Sequence, residues 1–237
     1  MKFVLLILFG CLFSIHNSFS QNPKVFILNT DGAIHPTCAD YIHLGLEKAI
    51  NEKAECLIIK LNTPGGLLTS TRKIVSDFLE SPVPIIVYVS PAGSQAASAG
   101  VFITLAANIA VMSPGTNIGA AHPVSIQGAQ DSVMMEKATN DAAAFIRTIS
   151  EKRKRNIQWA EDAVIKSVSL TETEALEKNV IDLIAKDVDA LLSKIDGMQV
   201  ETSKGTKIIN TKDAEVIYLE MTLAQKILSI LSDPNFA

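Results

Sequence analysis

The feature that most constrains the fold of this chain is a series of short apolar runs separated by helical segments. The apolar runs, which we predict to be buried strands, are residues 25–29, 56–61, 84–89, 109–112 and 180–185. The predicted helices are residues 37–53, 67–80, 98–107, 134–155, 159–167, 188–195 and 224–231. Apolar strands that alternate with helices are typical of a sheet buried on both faces. We therefore predict an α/β fold with largely parallel buried strands and surrounding helices. Residues 200–216 are expected to form a small polar hairpin around Lys204-Gly205.

Composition and charge narrow the class of protein further. The chain has 237 residues, of which 48% are hydrophobic, and its net charge is −4. This length and composition predict one domain, residues 21–237, with a sizeable core. The acidic balance argues against a nucleic-acid partner. The basic run of residues 152–155 is interpreted as a solvated helix end, where positive charge is favourable.

The first 20 residues have the pattern of an export signal. Lys2 is followed by a short apolar core at residues 3–15, and small residues at Ser18 and Ser20 precede a cleavage point before Gln21. A lipoprotein signal that would leave a lipidated Cys11 is the alternative. Either signal predicts that the domain works on the periplasmic or extracytoplasmic side, in association with a membrane. Once the signal is removed, Cys38 and Cys56 are the remaining cysteines, which is too few for a disulfide scaffold, and we expect no metal and no cofactor.

A serine followed at some distance by a lysine is the strongest indication of chemistry. Ser98 is surrounded by alanine and glycine, which leave room for a substrate carbonyl, and Lys137 follows 39 residues later (137 − 98). An alcohol is a weak nucleophile that needs a base, and a lysine desolvated in an apolar pocket can serve as one. Taken alone, however, Ser98 could be an ordinary helix N-cap, and Lys137 could be an exposed helix lysine.

A glycine turn upstream could supply the third part of a catalytic site. The predicted strand at residues 56–61 runs into Asn62-Thr63-Pro64-Gly65-Gly66. A turn of this kind can direct backbone N–H groups toward a negative charge that develops on oxygen during a reaction.

Three motifs together resemble the NfeD family, the stomatin-operon partner proteins, which are membrane-bound serine proteases of the ClpP class. The motifs are residues 62–66, residues 96–100 and the Met112-to-Pro123 segment, and the similarity runs from about Lys24 onward. The resemblance implies a ClpP/crotonase-like fold and a Ser–Lys dyad. It places the nucleophile on Ser98, the base on Lys137, and the oxyanion donors on Gly65, Gly66 and the amide of Ala99.

The same resemblance implies a substrate and partners. The expected function is a serine endopeptidase that cleaves hydrophobic segments of membrane-associated proteins, with a stomatin-like membrane protein as partner and with the chain as a homodimer. Relatives enter transmembrane helices after an Asp-Pro-Asn similar to the one near the end of this chain. The alternative function is a non-catalytic scaffold with a ClpP fold that binds a stomatin-like protein.

His122 offers a rival base. It lies 24 residues after Ser98 (122 − 98), near the position where ClpP itself carries a catalytic histidine. The acid of a Ser–His–Asp triad would, however, fall near Ser167, which cannot orient an imidazolium. We therefore expect Lys137 to be the base and His122 to be dispensable. His35 and His43 are interpreted as surface or packing residues.

Overall fold

The main structural element is a six-stranded sheet in which every neighbouring pair of strands is parallel. The computed structural model describes residues 22–124 and 132–232, so the predicted signal at residues 1–20 lies outside the described residues. The strands of the described part are β1 Lys24–Asp31, β2 Cys56–Asn62, β3 Ile85–Val89, β4 Gln95–Ala97, β5 Ile109–Met112, β6 Asn117–Gly119, β7 Ser169–Thr171, β8 Leu183–Ile184, β9 Gln199–Thr202, β10 Gly205–Ile208 and β11 Glu215–Leu219. In the large sheet their order is β11-β1-β2-β3-β5-β8. This sheet confirms the predicted α/β class.

Helices connect these strands and cover the sheet. They are α1 Pro36–Asn51, α2 Leu68–Glu80, α3 Ala99–Ala106, α4 Ser132–Lys152, α5 Ile157–Ile165, α6 Glu172–Glu177, α7 Val188–Ile195 and α8 Leu223–Ser232. Among the described residues, none of these helices is both long and apolar enough to cross a membrane.

Both faces of the large sheet are buried, which explains the continuous apolar runs in the sequence. Successive side chains of a strand point to opposite faces. Leu57 and Ile59 of β2 therefore join the core that includes α1, α2 and α3, whereas Cys56 and Ile58 join a second core with α7. Strands buried on two sides lose the polar alternation of a half-exposed strand.

A second, three-stranded sheet, β4-β6-β7, begins where β2 ends. The connection is a parallel bridge between Thr63 and Ala96. The Thr63 amide donates to the carbonyl of Gln95 (2.8 Å), and the Ala97 amide donates to the carbonyl of Thr63 (3.0 Å). This bridge holds the glycine turn after β2 beside Ser98, which immediately follows β4.

The C-terminal strands differ in part from the prediction. The hairpin around Lys204-Gly205 is present as β9 and β10. The end of the predicted hairpin region instead enters β11, which pairs with β1 in the register Val25↔Val216. Because this pairing joins the two ends of the described chain, a local sequence pattern gives no indication of it.

One arginine of the basic run is buried and another is half-buried, so the prediction of a solvated helix end is wrong for these two. The side chain of Arg155 is only 2% exposed and lies 2.9 Å from Asp182. Its guanidinium donates to the carbonyls of Leu105 and Ala107, both at 3.1 Å. Arg153 donates to the carbonyl of Ala106 in the same way. These arginines provide donors for carbonyls at the C-terminal end of α3 that have no partner within the helix.

We predict that Arg155→Met lowers the free energy of unfolding by about 3 kcal/mol, because Asp182 and the carbonyls at the end of α3 lose a buried donor. Urea unfolding of the purified domain would measure the loss. Lys154→Ala is the matched control, because its side chain is 79% exposed, and it should cost less than about 1 kcal/mol. Equal losses for the two variants would show that the buried contacts of Arg155 do not stabilise the fold.

Candidate active site

Ser98 occupies a strained turn between β4 and α3. Its φ is 50° and its ψ is −111°, and its side chain makes no capping hydrogen bond although it stands at the N-cap position of α3. A serine with positive φ is uncommon, and such residues persist where the surrounding structure holds them in place. Here the Ser98 amide donates to the carbonyl of Ala120 at 2.8 Å. The interpretation of Ser98 as an ordinary helix cap therefore finds no support.

The strained turn presents the Ser98 hydroxyl to a cavity of about 790 Å³. A sharp strand–serine–helix turn is the arrangement that exposes the nucleophile in α/β-hydrolases. Much of the cavity wall is apolar, with contributions from Ile34, Leu68, Phe102 and Val124. A cavity of this kind suits a reactive group that must act on an apolar segment away from bulk water.

The Gly65–Gly66 turn packs directly against Ser98. A Cβ added to Gly65 would lie 2.7 Å from the Ser98 Cβ and 3.1 Å from its Oγ, and Gly65 has a φ of +133°. Glycine is required at this position both by the conformation and by the approach of the serine. The buried hydroxyl of Thr63 holds the turn, because it accepts from the Gly65 amide and donates to the Gly65 carbonyl, both at 3.0 Å.

The three predicted oxyanion donors differ in whether their amides are already hydrogen-bonded. The Gly65 amide is already bonded to Thr63, so Gly65 contributes shape rather than a donor. The amides of Gly66 and Ala99 both belong to residues of the cavity wall, and neither has a protein acceptor among the residues that the structure describes. Ala99 is also the first residue of α3, where helix amides are free and the helix dipole favours negative charge.

Lys137 lies on α4 and is exposed. It is not among the residues that line the cavity, and it makes no hydrogen bond or ion pair with the described residues. The structure therefore does not bring Lys137 into contact with Ser98. The helix it belongs to does reach the site, because Ala142 of α4 forms part of the cavity wall.

Two side-chain contacts connect α4 with α2. Arg72 of α2 pairs with Asp141 of α4, and the Phe78 carbonyl near the end of α2 accepts from Arg153 just beyond α4. Lys137 is one turn, about 5.4 Å, before Asp141 on the same helix.

His122 and Ser167 both line the cavity. The Nδ1 of His122 lies 2.9 Å from the carbonyl of Val164, so that nitrogen donates to a neutral oxygen. No carboxylate of the described residues orients this ring as the acid of a Ser–His–Asp triad does.

Two further residues of the site were not identified from the sequence. Thr63 shapes the glycine turn, and its position directly before Pro-Gly-Gly is the one local signal that could have indicated it. His35, interpreted from the sequence as a surface or packing residue, is buried and lines the cavity. Its Nδ1 accepts from the Cys38 amide at 3.3 Å and caps α1.

The two described cysteines do not compete with Ser98 as nucleophiles. Cys38 and Cys56 are both buried, and burial raises the pKa of each thiol to about 12. A thiol with so high a pKa carries almost no thiolate at neutral pH. They behave as small apolar core residues.

The chain is similar to proteins described as membrane-bound. It is 35% identical over 217 residues to the membrane-bound protease PH1510 of Pyrococcus horikoshii, covering 90% of this chain and 49% of the relative. It is 25% identical over 218 residues to the membrane protein NfeD1b of Bacillus subtilis, covering 92% of this chain and 48% of the relative. The chain thus spans about half the length of these two curated relatives.

Solved structures of similar domains are matched over a larger share of their length than these relatives. One is the 1510-N membrane-bound stomatin-specific protease, in a lysine-to-alanine variant bound to a substrate peptide. It has a TM-score of 0.82 and 33% identity over 90% of this chain and 99% of that one. A serine-to-alanine variant of the same protease has a TM-score of 0.79 and 33% identity, with 85% and 100% coverage. The ClpP catalytic domain of Plasmodium falciparum has a TM-score of 0.55 and 16% identity, with 68% and 86% coverage.

The fold is therefore that of the ClpP-like protease domains, with a serine at a strained strand–helix turn. The profile of the NfeD1b N-terminal domain matches residues 24–219, and the chain belongs to this family. The resemblance drawn from the three sequence motifs is thereby confirmed.

We predict that Gly65→Ala destabilises the protein by about 1–3 kcal/mol more than Gly32→Ala, because the added methyl group overlaps the Ser98 side chain. Gly32 is the matched control, since its φ is +109° and an added Cβ there meets no atom within 4 Å. Chemical denaturation of both variants gives the difference. In a Ser98→Gly background the difference should vanish, and its persistence would contradict the proposed overlap.

Proposed function

We propose that this chain is a serine endopeptidase in which Ser98 and Lys137 form a catalytic dyad. The observation that carries the proposal is the strained Ser98 turn, whose hydroxyl faces an apolar cavity beside the unbonded amides of Gly66 and Ala99. Acyl transfer requires a nucleophile and oxyanion donors that can reach the same substrate carbonyl group.

The reaction follows from these positions. Lys137, as the free amine, takes the proton of Ser98 while Oγ attacks the substrate carbonyl. Negative charge on the carbonyl oxygen is stabilised by the amides of Gly66 and Ala99. Lys137 then gives the proton to the departing amine, and an acyl-enzyme remains on Ser98. Water, deprotonated by Lys137, hydrolyses this ester and regenerates both groups.

Three observations support Lys137 over His122 as the base. A solved structure of the similar stomatin-specific protease is named for a lysine-to-alanine substitution, and its substrate peptide is bound. The His122 ring is held by a backbone carbonyl rather than by a carboxylate. Lys137 is an exposed residue of α4, the helix whose Ala142 forms part of the cavity wall.

The substrate proposed is a hydrophobic segment of a membrane-associated protein. The apolar cavity wall supports this chemistry. A stomatin-like partner is supported by the names of the similar proteases, which are called specific for a stomatin homologue. The sequence of residues 1–20 supports export, with the domain on the extracytoplasmic side of a membrane. The family resemblance supports a crotonase-like relationship and a homodimer.

We predict that Ser98→Ala and Lys137→Ala each lower kcat on a hydrophobic peptide by at least about 100-fold, because nucleophile and base act as a unit. His122→Ala should retain most of the wild-type rate. Peptide cleavage assays with purified variants, checked for folding by circular dichroism, would measure the three rates. Activity should also persist in a chelator, since the proposed reaction uses no metal.

The same assay separates the alternatives. Equal cleavage by wild type and Ser98→Ala would exclude Ser98 as the nucleophile. A large loss in His122→Ala with little loss in Lys137→Ala would assign the base to His122. A folded wild-type chain that cleaves no peptide but binds a stomatin-like protein would support the scaffold function instead.

A further inference from the structure

We propose that Arg72 is a positioning residue that sets the place of Lys137 relative to Ser98. This inference rests on the proposed function, because it concerns the base of that dyad. Arg72 lies on α2, outside the cavity wall, and acts through contacts with α4.

The first half of α4 has little packing of its own. From Ser132 to Asp141 no side chain is buried, and the first buried side chains of the helix are those of Ala142 and Ala143. Met135, Ala138 and Thr139 of this half are only half-buried, so the contacts near Asp141, just before the first buried side chains, contribute strongly to its position. Lys137 is in this exposed half.

Arg72 makes two contacts at the point where α4 meets the rest of the protein. Its Nη2 lies 2.6 Å from the Asp141 carboxylate. The same guanidinium lies 4.1 Å above the ring of Phe145, one turn further along α4. A planar guanidinium can pair with a carboxylate and stack on a ring at once, which an ammonium group cannot do equally well.

The stack continues into the helix of the nucleophile. The Phe145 ring packs on the Phe102 ring, with the centroids 5.6 Å apart and the planes 20° from parallel. Phe102 is in the cavity wall, one turn after Ser98 on α3. On α4, Phe145 and Asp141 are one turn apart, and Lys137 is one turn further toward the start of the helix. We name the group Arg72, Asp141, Phe145 and Phe102 the α4 clasp.

The clasp therefore joins the helix that carries the nucleophile to the helix that carries the base. Lys137 lies one turn, about 5.4 Å, before Asp141, so a tilt of this part of α4 displaces its amine. Misplacement of a catalytic group by about 1 Å can cost about 100-fold in rate. Loss of the clasp should therefore affect catalysis more than substrate binding.

The effect on stability should be small, which makes the two roles separable. The side chains of Arg72 and Asp141 are 39% and 62% exposed. Ion pairs this exposed contribute little to folding. The adjacent residue Lys73 forms a similar exposed pair with Asp40 of α1, at 2.5 Å and with 45% and 59% exposure, and this pair does not involve α4. Lys73→Ala is therefore a matched control for Arg72→Ala.

The experiment compares wild type, Arg72→Ala, Arg72→Lys, Asp141→Ala, the double variant of Arg72→Ala with Asp141→Ala, and Lys73→Ala. For each, kcat and KM are measured on a hydrophobic peptide, with the melting temperature and the rate at which a fluorophosphonate modifies Ser98. We expect Arg72→Ala to lower kcat by at least about tenfold while KM and the melting temperature match those of Lys73→Ala. Asp141→Ala should cause a similar loss, the double variant should be no worse than either single variant, and Arg72→Lys should recover part of the rate.

Other outcomes would overturn the proposal. If kcat of Arg72→Ala equals that of Lys73→Ala, or falls only in proportion to a lower melting temperature, the clasp does not position the base. If the losses of Arg72→Ala and Asp141→Ala add fully in the double variant, the two residues do not act together. If wild type itself shows neither cleavage nor Ser98 modification, the proposed function fails, and that result is distinct from a failure of the clasp in an active enzyme.

Discussion

The close packing of the Gly65–Gly66 turn against Ser98 is the constraint on which the site depends. It is produced by the bridge between Thr63 and Ala96, which joins the end of the large sheet to the start of the small one. The Thr63 hydroxyl accepts from the Gly65 amide, whereas the Gly66 amide has no acceptor among the described residues. One threonine therefore determines the shape of the turn and which of its two amides is already bonded. Because Thr63 is buried, removing its hydroxyl would leave the Gly65 amide without an acceptor, which costs stability.

The two halves of the proposed dyad are held very differently. The nucleophile helix α3 is fixed at both ends, by the Ala120 carbonyl at the Ser98 amide and by Arg153 and Arg155 at its last carbonyls. The proposed base stands on a helix segment with no buried side chain.

The sequence predicted those features that depend on local pattern. The buried strands around Cys56 and Ile109 and the helix after Ser98 follow from neighbouring residues, and all are present. It could not predict β11, whose partner β1 lies almost 200 residues away. Nor could it predict that Arg155 is buried, since the acceptors of its guanidinium come from distant elements. For Lys137 the spacing predicted a helix but not its tertiary position.

The backbone of Ser98 also limits which nucleophile this fold can use. A β-branched residue with positive φ is a genuine outlier, because its second branch meets the neighbouring backbone. At φ 50°, a threonine would place its second branch against the neighbouring backbone and would be strained. Hydroxyl chemistry here is thus restricted to the primary alcohol. Threonine, chemically the nearest alternative, is disfavoured by its shape and not by the reactivity of its hydroxyl. A replacement nucleophile at this position would therefore need an unbranched side chain.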